Sequence, residues 1–487
     1  MEPNDIRFGG GAAGTVLNPL VAVALLIAVV LILVWPRRRI IVPWLGLLFL
    51  VPSSQVIVLG GAHFTIYRVL VVFGLIRLAA AGRRGNEPRL VGGFTNTDWA
   101  FTLCALALFV TFCLQWMVGA AVIKALGNLL DALGGYFVLR FLIRDSKDVR
   151  QAIRVLAIVA LIEGTCMLNE QISHRNVFGL LGGGLEQVVF RDGKPRAMGS
   201  FEVYITAGAF GGTLLPLLIW LWQDRESRRF AIAGLIGATL MTITSNASTS
   251  LLTYVGGIVA LCFWPMRRRM REFRWGIVIT LIGLQMVMKA PVWALIQRID
   301  LTGSSSGYQR FELVNQCILH FSEWWLMGTV NYSKWGFDMW DLSNQYVANA
   351  VTGGLGAIVP FILVISRSFG RLGTARRRAG RDLKKQWYFW CLGAALLAHV
   401  VAYFGIGYFD QMQFAWYALL AMIPAATSNV MSAPALRNQP RVPIGLGIHQ
   451  TADLPTPEAI FRHPISSLYR ISEPGDASRP WQGKTVE

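Results

Sequence analysis

Two stretches of the chain hold side chains able to do chemistry at close range. In the first, Arg191-Asp192-Gly193-Lys194-Pro195-Arg196 crowds three cations and a carboxylate together, and Ala197-Met198-Gly199-Ser200-Phe201 then leads straight into an apolar run. In the second, Gly307-Tyr308-Gln309-Arg310 opens a helical pattern, and Trp340-Asp341-Leu342-Ser343-Asn344-Gln345-Tyr346 leads into a run that soon reaches Gly353-Gly354-Leu355-Gly356. Guanidinium forks grip phosphate or carboxylate through paired, charge-assisted hydrogen bonds, so Arg196 and Arg310, aided by Arg191 and Lys194, suit an anionic group at a membrane boundary. Groups that can take up a proton lie nearby in the chain, Asp341 first, then Asp338, then His320. The competing reading has the cations of the first stretch snorkelling to lipid headgroups and the carboxylates merely solvated.

The elements that carry these residues are read from composition. Of 487 residues, 54% are hydrophobic and only 15% charged, and the mean hydropathy is +0.49, which excludes an ordinary soluble domain. Apolar runs of about 17–25 residues recur from Leu17 to Ser428, the length a helix needs to cross a hydrocarbon core. They predict an all-α, polytopic membrane helix bundle of about thirteen transmembrane helices over residues 1–431, followed by a disordered cytoplasmic tail over 432–487 that is rich in Pro, Ser and Arg.

A net charge of +18 would point to nucleic acid in a soluble protein, but here its placement matters more. Basic clusters at Arg37 to Arg39, Arg83 to Arg89, Arg144 to Arg150, Arg225 to Arg229, Arg267 to Arg274 and Arg367 to Lys385 all fall on the side of the C-terminal tail. The positive-inside rule makes that side cytoplasmic and the N-terminus periplasmic, with no nucleic-acid partner. Glu2 and Asp5 ahead of the first run argue against a cleaved leader, so that run is expected to stay as a span.

Only two outer connections are long, residues 169–202 and 294–341, and long ordered loops are where function concentrates. Within the second, Phe311, Val314, Ile318, Phe321 and Trp325 recur at steps of three and four, opposite Glu312, Gln316, His320 and Glu323. That spacing predicts an amphipathic helix lying in the membrane interface or covering a cavity. Inside the runs, Lys124, Asn128 and Asp131 share a helical face and predict a structural ion pair. Arg140 and Lys289 are expected to snorkel, while Arg68 lies where it can face the same outer cavity as the loop arginines. His399 and Asp410 are given no role. The six cysteines are scattered, without metal-ligand or disulfide spacing.

On the Arg-x-x-Gly-x-Phe element (Arg196, Gly199, Phe201), the loop with Arg310 opening a helix, and the Asn-x-Tyr element (Asn344, Tyr346) before a glycine-rich turn, the stretch from Asp131 to Tyr417 resembles the bacterial O-antigen polymerase and O-antigen ligase superfamily. The resemblance implies a GT-C-like fold with two long periplasmic loops in the bacterial inner membrane. It implies transfer of glycan from undecaprenyl diphosphate to a sugar hydroxyl at the periplasmic face, with Arg196 and Arg310 on the diphosphate and no metal or other cofactor. Arg191, Lys194, Asn344, Tyr346, Arg68 and His320 would then contact substrate. Implied partners are the undecaprenyl-diphosphate-linked oligosaccharide, membrane lipid, a chain-length regulator and a flippase. Ligases of the superfamily carry His immediately before the Asn of the last element, where this chain has Ser343, which favours a polymerase. The alternatives are a ligase acting on a lipid or protein acceptor, and a transporter of lipid-linked glycan; no paired, broken helices in matching halves are visible to support the latter.

Overall fold

The structure is a computed structural model that describes residues 14–60, 62–81, 90–182, 186–298, 307–336 and 338–432. The expected tail beyond Ser432 and the basic cluster around Arg84 lie outside the described residues. In chain order the helices are α1 (Pro19–Val34), α2 (Arg37–Leu50), α3 (Ile66–Ala81), α4 (Asn96–Trp116), α5 (Gly119–Leu129), α6 (Gly135–Leu142), α7 (Ser146–Ser173), α8 (Tyr204–Trp222), α9 (Arg228–Thr244), α10 (Ser248–Cys262), α11 (Met270–Val287), α12 (Gly307–Leu319), α13 (Phe321–Trp324), α14 (Gln345–Arg378), α15 (Leu383–Ala402) and α16 (Asp410–Ser432). Two short antiparallel hairpins, β1 (Val56–Leu59) with β2 (Ala62–Thr65) and β3 (Val189–Arg191) with β4 (Lys194–Arg196), complete it.

Six of these units are long and apolar enough to cross a membrane: α4, the continuous segment Gly119–Leu142 formed by α5 and α6, α7, α8, α14 and α16. The run expected to span from Ile40 to Leu59 is helical only as far as Leu50. Val51 turns extended ahead of Pro52, and the chain goes on as β1, because the residue before a proline is pushed out of the helical region. Small residues set the tightest packing. Gly164 of α7 lies against Gly237 of α9, and Gly237 against the Ala160 carbonyl, leaving no room for a side chain on either glycine.

Polar contacts divide the bundle into two ends. At one end the basic connections are tied together: Arg37 pairs with Asp148 at 2.6 Å, Arg38 with Asp145 at 2.8 Å, and Arg150 and Arg154 with Asp224 at 3.2 and 3.5 Å. At the other end lie both hairpins and the long connections. There Gln55 donates to the carbonyls of Leu181 and Gly182, Ser200 donates to the Phe49 carbonyl, and Gln411 donates to the carbonyls of Val51 and Ser200.

Arg140, expected to snorkel, is instead fully buried and clasps Asp98 through two 3.2 Å contacts. Asp98 also closes the capping box that starts α4, so one carboxylate satisfies both a helix end and a buried cation. Asp131 likewise pairs with Arg68 of α3, at 3.0 and 2.6 Å, rather than with Lys124 on its own helix. It sits on the π-helical turn Leu130–Gly134 that joins α5 to α6.

The glycine-rich turn of α14 is a break. Gly354 adopts φ 60, and the interrupted ladder is completed by a returning segment, with Leu355 N–H donating to the Trp325 carbonyl at 2.8 Å and Thr329 N–H to the Val351 carbonyl at 2.7 Å. Irregular backbone at this depth needs such partners. The helix expected across Phe311 to Trp325 forms in two pieces, α12 and α13, and part of its expected apolar stripe is turned away from the protein. Arg310, Leu313, Cys317 and Trp324 are buried, while Ile318, Phe321 and Trp325 are exposed.

Candidate functional site

The first loop is built as a turn with a fixed hand. Asp192 and Gly193 both take positive φ, 52 and 72, as the tightest two-residue hairpins require. Arg191 lies opposite Lys194, and Val189 opposite Arg196. Directly paired and alternate positions share one face of a ribbon, so Arg191, Lys194 and Arg196 present three cations to the same side. Asn246 Nδ2 donates to the Pro195 carbonyl at 2.6 Å, and Ala197 N–H donates to the Thr244 carbonyl at 3.1 Å, fixing the hairpin to the turn between α9 and α10. Arg196 is 3% exposed. Its Nη1 donates to the Tyr204 hydroxyl at 2.7 Å, and its guanidinium lies 4.7 Å from the centre of that ring.

The turn after Arg196 is held by two glutamates on one face of α7. Glu170 accepts from the N–H groups of Met198 and Gly199, and Glu163 from that of Ser200. Gly199 has φ 60, and a methyl group there would run into the Glu163 carboxylate. Phe201 packs among Phe49 and Phe210. Each position of the Arg-x-x-Gly-x-Phe element therefore has a structural task that ends in the placement of Arg196.

Arg310 reaches the same place from α12. It is 9% exposed, and its Nε has no hydrogen-bond partner. It lies within electrostatic reach of Tyr204, Arg191, Asp341 and Arg196, and no carboxylate among the described residues stands at ion-pair distance from it. Burial holds its guanidinium below the usual arginine value, and Arg191 and Arg196 add to that depression against the opposing pull of Tyr204 and Asp341. It remains charged at any ordinary pH. Gly405, between α15 and α16, makes room for it: a side chain on Gly405 would come within 3.2 Å of Arg310 Nε and collide with Thr249. Asp341 belongs to the same cluster. Its side chain is exposed, yet partial desolvation raises its carboxyl above the ordinary range, Arg310 opposes the shift and Asp338 adds to it.

The remaining residues singled out from the sequence divide between surface and packing positions. Lys194 is exposed on the hairpin, and Arg191 is half-exposed with Asp192 3.9 Å away. Asn344 caps α14, accepting from the N–H groups of Tyr346 and Val347. Tyr346 donates to the Val400 carbonyl and packs against Phe361, Tyr403 and Phe404. Arg68 is engaged by Asp131 and also donates to the His63 carbonyl. His320 stacks 4.7 Å from Trp335 beside Glu323, ten positions along the chain from Arg310, or about 15 Å of helix. Tyr204, Thr249, Gly405 and Glu170 join the cluster without having stood out in the sequence, while Glu163 stands out there only as an ionisable residue inside an apolar run. Glycines at 199 and 405 are the only local signal of such close approaches.

Arg191, Arg196 and Arg310 thus bring three cations from two segments within electrostatic reach of one another, one of them buried without a carboxylate at ion-pair distance among the described residues, an arrangement suited to an anion with more than one negative charge. No protein-family model matches the chain, and no curated protein matches it.

Proposed function

We propose that the chain is an inner-membrane glycosyltransferase of polysaccharide assembly, built as a GT-C-like bundle of about thirteen spans. It transfers an oligosaccharide from undecaprenyl diphosphate onto a sugar hydroxyl at the periplasmic face. The observation that carries this reading is the convergence of Arg310, buried and without a carboxylate partner among the described residues, with Arg196 and Arg191. A buried cation of this kind is stabilised by an anion, and a diphosphate at the lipid boundary offers several oxygens to paired guanidinium donors.

In the transfer, the bond between the anomeric carbon and the diphosphate oxygen breaks, and its electrons leave with the diphosphate. Arg196 and Arg310 stabilise that charge as it develops. A bond forms between the anomeric carbon and the acceptor oxygen, and the acceptor proton passes to Asp341, whose raised affinity for protons suits a general base. Ser343, where a ligase-type sequence has His, favours polymerisation over ligation.

The break in α14 is the feature that favours transport of a lipid-linked glycan instead, since transporters bind solute at interrupted helices. The freed groups at Val351 and Leu355 are already bonded to the segment 325–329, which weakens that reading.

Purified protein in nanodiscs, supplied with undecaprenyl-diphosphate-linked repeat units, is expected to yield a ladder of longer carrier-linked chains, formed about a hundredfold or more slowly with Arg310→Ala. No ladder from the wild type, with glycan movement across sealed vesicles, would establish the transporter instead. In cells lacking the gene, single repeat units on the final acceptor identify a polymerase, whereas long chains stranded on the carrier identify a ligase.

A further inference from the structure

A cavity of about 530 Å³ lies between α4, α5, α14 and α16, beside the arginine cluster but not containing it. The short connection after α15 separates the two: Gly405 abuts Arg310, while Gly407, Tyr408 and Asp410 line the cavity. Its volume falls in the range of about 300–1,000 Å³ over which proteins enclose small organic ligands.

The lining is chemically mixed in a way that core packing does not need. Asn349 is 4% exposed, with an Nδ2 that has no hydrogen-bond partner. Its Oδ1 is held at 3.1 Å by Gln345, which is itself fixed by the Tyr408 N–H, so the amide is oriented with its donors unspent. Gln413 accepts from Tyr417 through Oε1 at 3.1 Å, which leaves its NH2 group as a second donor. Asn128 and Lys124 add further polar groups from α5, and Asp410 an acceptor. Among these sit the aromatic faces of Phe101, Trp416 and Tyr417. Buried polar groups without partners are costly and call for a ligand that satisfies them. Among the described lining residues Asp131 is neutralised by Arg68, Asp410 accepts from the Tyr67 hydroxyl beside Glu202, and Lys124 is exposed, so the buried lining selects neither a strong anion nor a strong cation.

We infer that this cavity binds an uncharged, hydroxyl-rich sugar moiety, the acceptor end of the growing glycan. Each sugar hydroxyl both donates and accepts, matching amides with free donors beside a carboxylate, and the C–H faces of a pyranose pack on aromatic rings. The role as acceptor rests on the glycosyl-transfer reading; the binding of sugar does not.

The test is native mass spectrometry of the full-length protein with a panel of neutral di- to tetrasaccharides of glucose, galactose, mannose and N-acetylhexosamines. At least one is expected to bind with one-to-one stoichiometry. Asn349→Leu and Gln413→Leu should each weaken that binding about tenfold or more, while Arg376→Lys, at the other end of the bundle, leaves it unchanged. Because Asn128 is exposed, Asn128→Leu supplies a variant that folds even if the buried substitutions do not, and it too should weaken binding. Failure of every saccharide to bind, or binding untouched by all three cavity variants, overturns the inference. Sugar binding lost in those variants, from a wild type that makes no polymer, would leave the cavity standing and remove only the transferase reading.

Discussion

Glu170 accepts a 2.9 Å hydrogen bond from the backbone N–H of Gly199, and this contact joins a membrane helix to the turn that delivers Arg196. Gly199 has φ 60 and no space beside the Glu163 carboxylate. A left-handed backbone with a side chain costs on the order of 1–3 kcal/mol where the surroundings cannot relax. Gly199→Ala is therefore expected to lower the thermal unfolding midpoint and to cut transfer while Arg196 is still present. Wild-type stability and rate in that variant would show that the turn does not position the arginine.

The Arg68–Asp131 pair yields a different signature. Both side chains are largely buried, at 16% and 4% exposure, and removing one partner strands a charge, which costs about 3–5 kcal/mol. Arg68→Met and Asp131→Leu should each destabilise strongly, and the double variant should recover much of the loss. If Arg68 instead contacts substrate, the double variant recovers stability but not activity, so unfolding and transfer measured together separate the two roles.

How legible these features are in the sequence depends on what kind of partner each residue has. The helices follow from apolar runs, and the arginine cluster from cations placed where a run begins. Local spacing fails wherever the partner lies on another element. Helical periodicity points Asp131 at Lys124, whereas Arg68 comes from α3. Arg140 reads as a snorkelling residue because nothing near it in the chain shows that Asp98, on α4, is its neighbour. For α12 and α13, apolar spacing picks out the stripe holding Ile318 and Phe321, which is exposed; in a membrane protein hydrophobicity marks lipid-facing and buried surfaces alike, so the spacing leaves open which side packs on protein. The break at Gly354 is completed by backbone groups of residues 325–329, and backbone partners leave no trace in side-chain patterns.

Orientation can be checked on residues the structure describes. Single cysteines introduced in a background lacking the native ones, at Gly193 on the hairpin turn and at Arg229 and Arg376 on the opposite end, should react with a membrane-impermeant maleimide in intact spheroplasts only at position 193. This expectation rests on the placement of basic residues and the ties between their loops. Labelling at position 229 but not 193 would put the arginine cluster on the cytoplasmic side and end the periplasmic assignment.

Asp341 sets a pH dependence with a definite sign. Its folded-state pKa is raised by partial desolvation, and as a general base it must be ionised, so the transfer rate should fall as pH drops through that raised value. Arg310 lowers this pKa and Asp338 raises it. Asp338→Asn should therefore move the acid limb to lower pH, and the residual rate of Arg310→Ala should show it moved to higher pH. Initial rates from about pH 4 to 8 would reveal both shifts. An acid limb that stays in place in both variants, or that survives Asp341→Asn, would assign the proton transfer to another group.

The sharpest question is whether Arg196 and Arg310 grip a diphosphate or anchor their loops. Gripping through planar forks makes lysine nearly as poor as alanine, because an ammonium keeps the charge but cannot present two coplanar donors. Losing such a contact in the transition state typically costs ~3–4 kcal/mol, on the order of a hundredfold or more in rate. Arg196 also lies against the Tyr204 ring and hydroxyl, so Arg196→Lys forfeits orientation as well as a donor. Headgroup anchoring predicts the reverse, since lysine snorkels as well as arginine does. Arg376, at the basic end of the bundle and 5.3 Å from the Trp390 ring centre, provides the control: Arg376→Lys should leave transfer unchanged while Arg196→Lys and Arg310→Lys each cut it about a hundredfold or more in equally well-folded protein. Wild-type rates in both of those variants would withdraw the diphosphate from this cluster and bring the transporter reading forward.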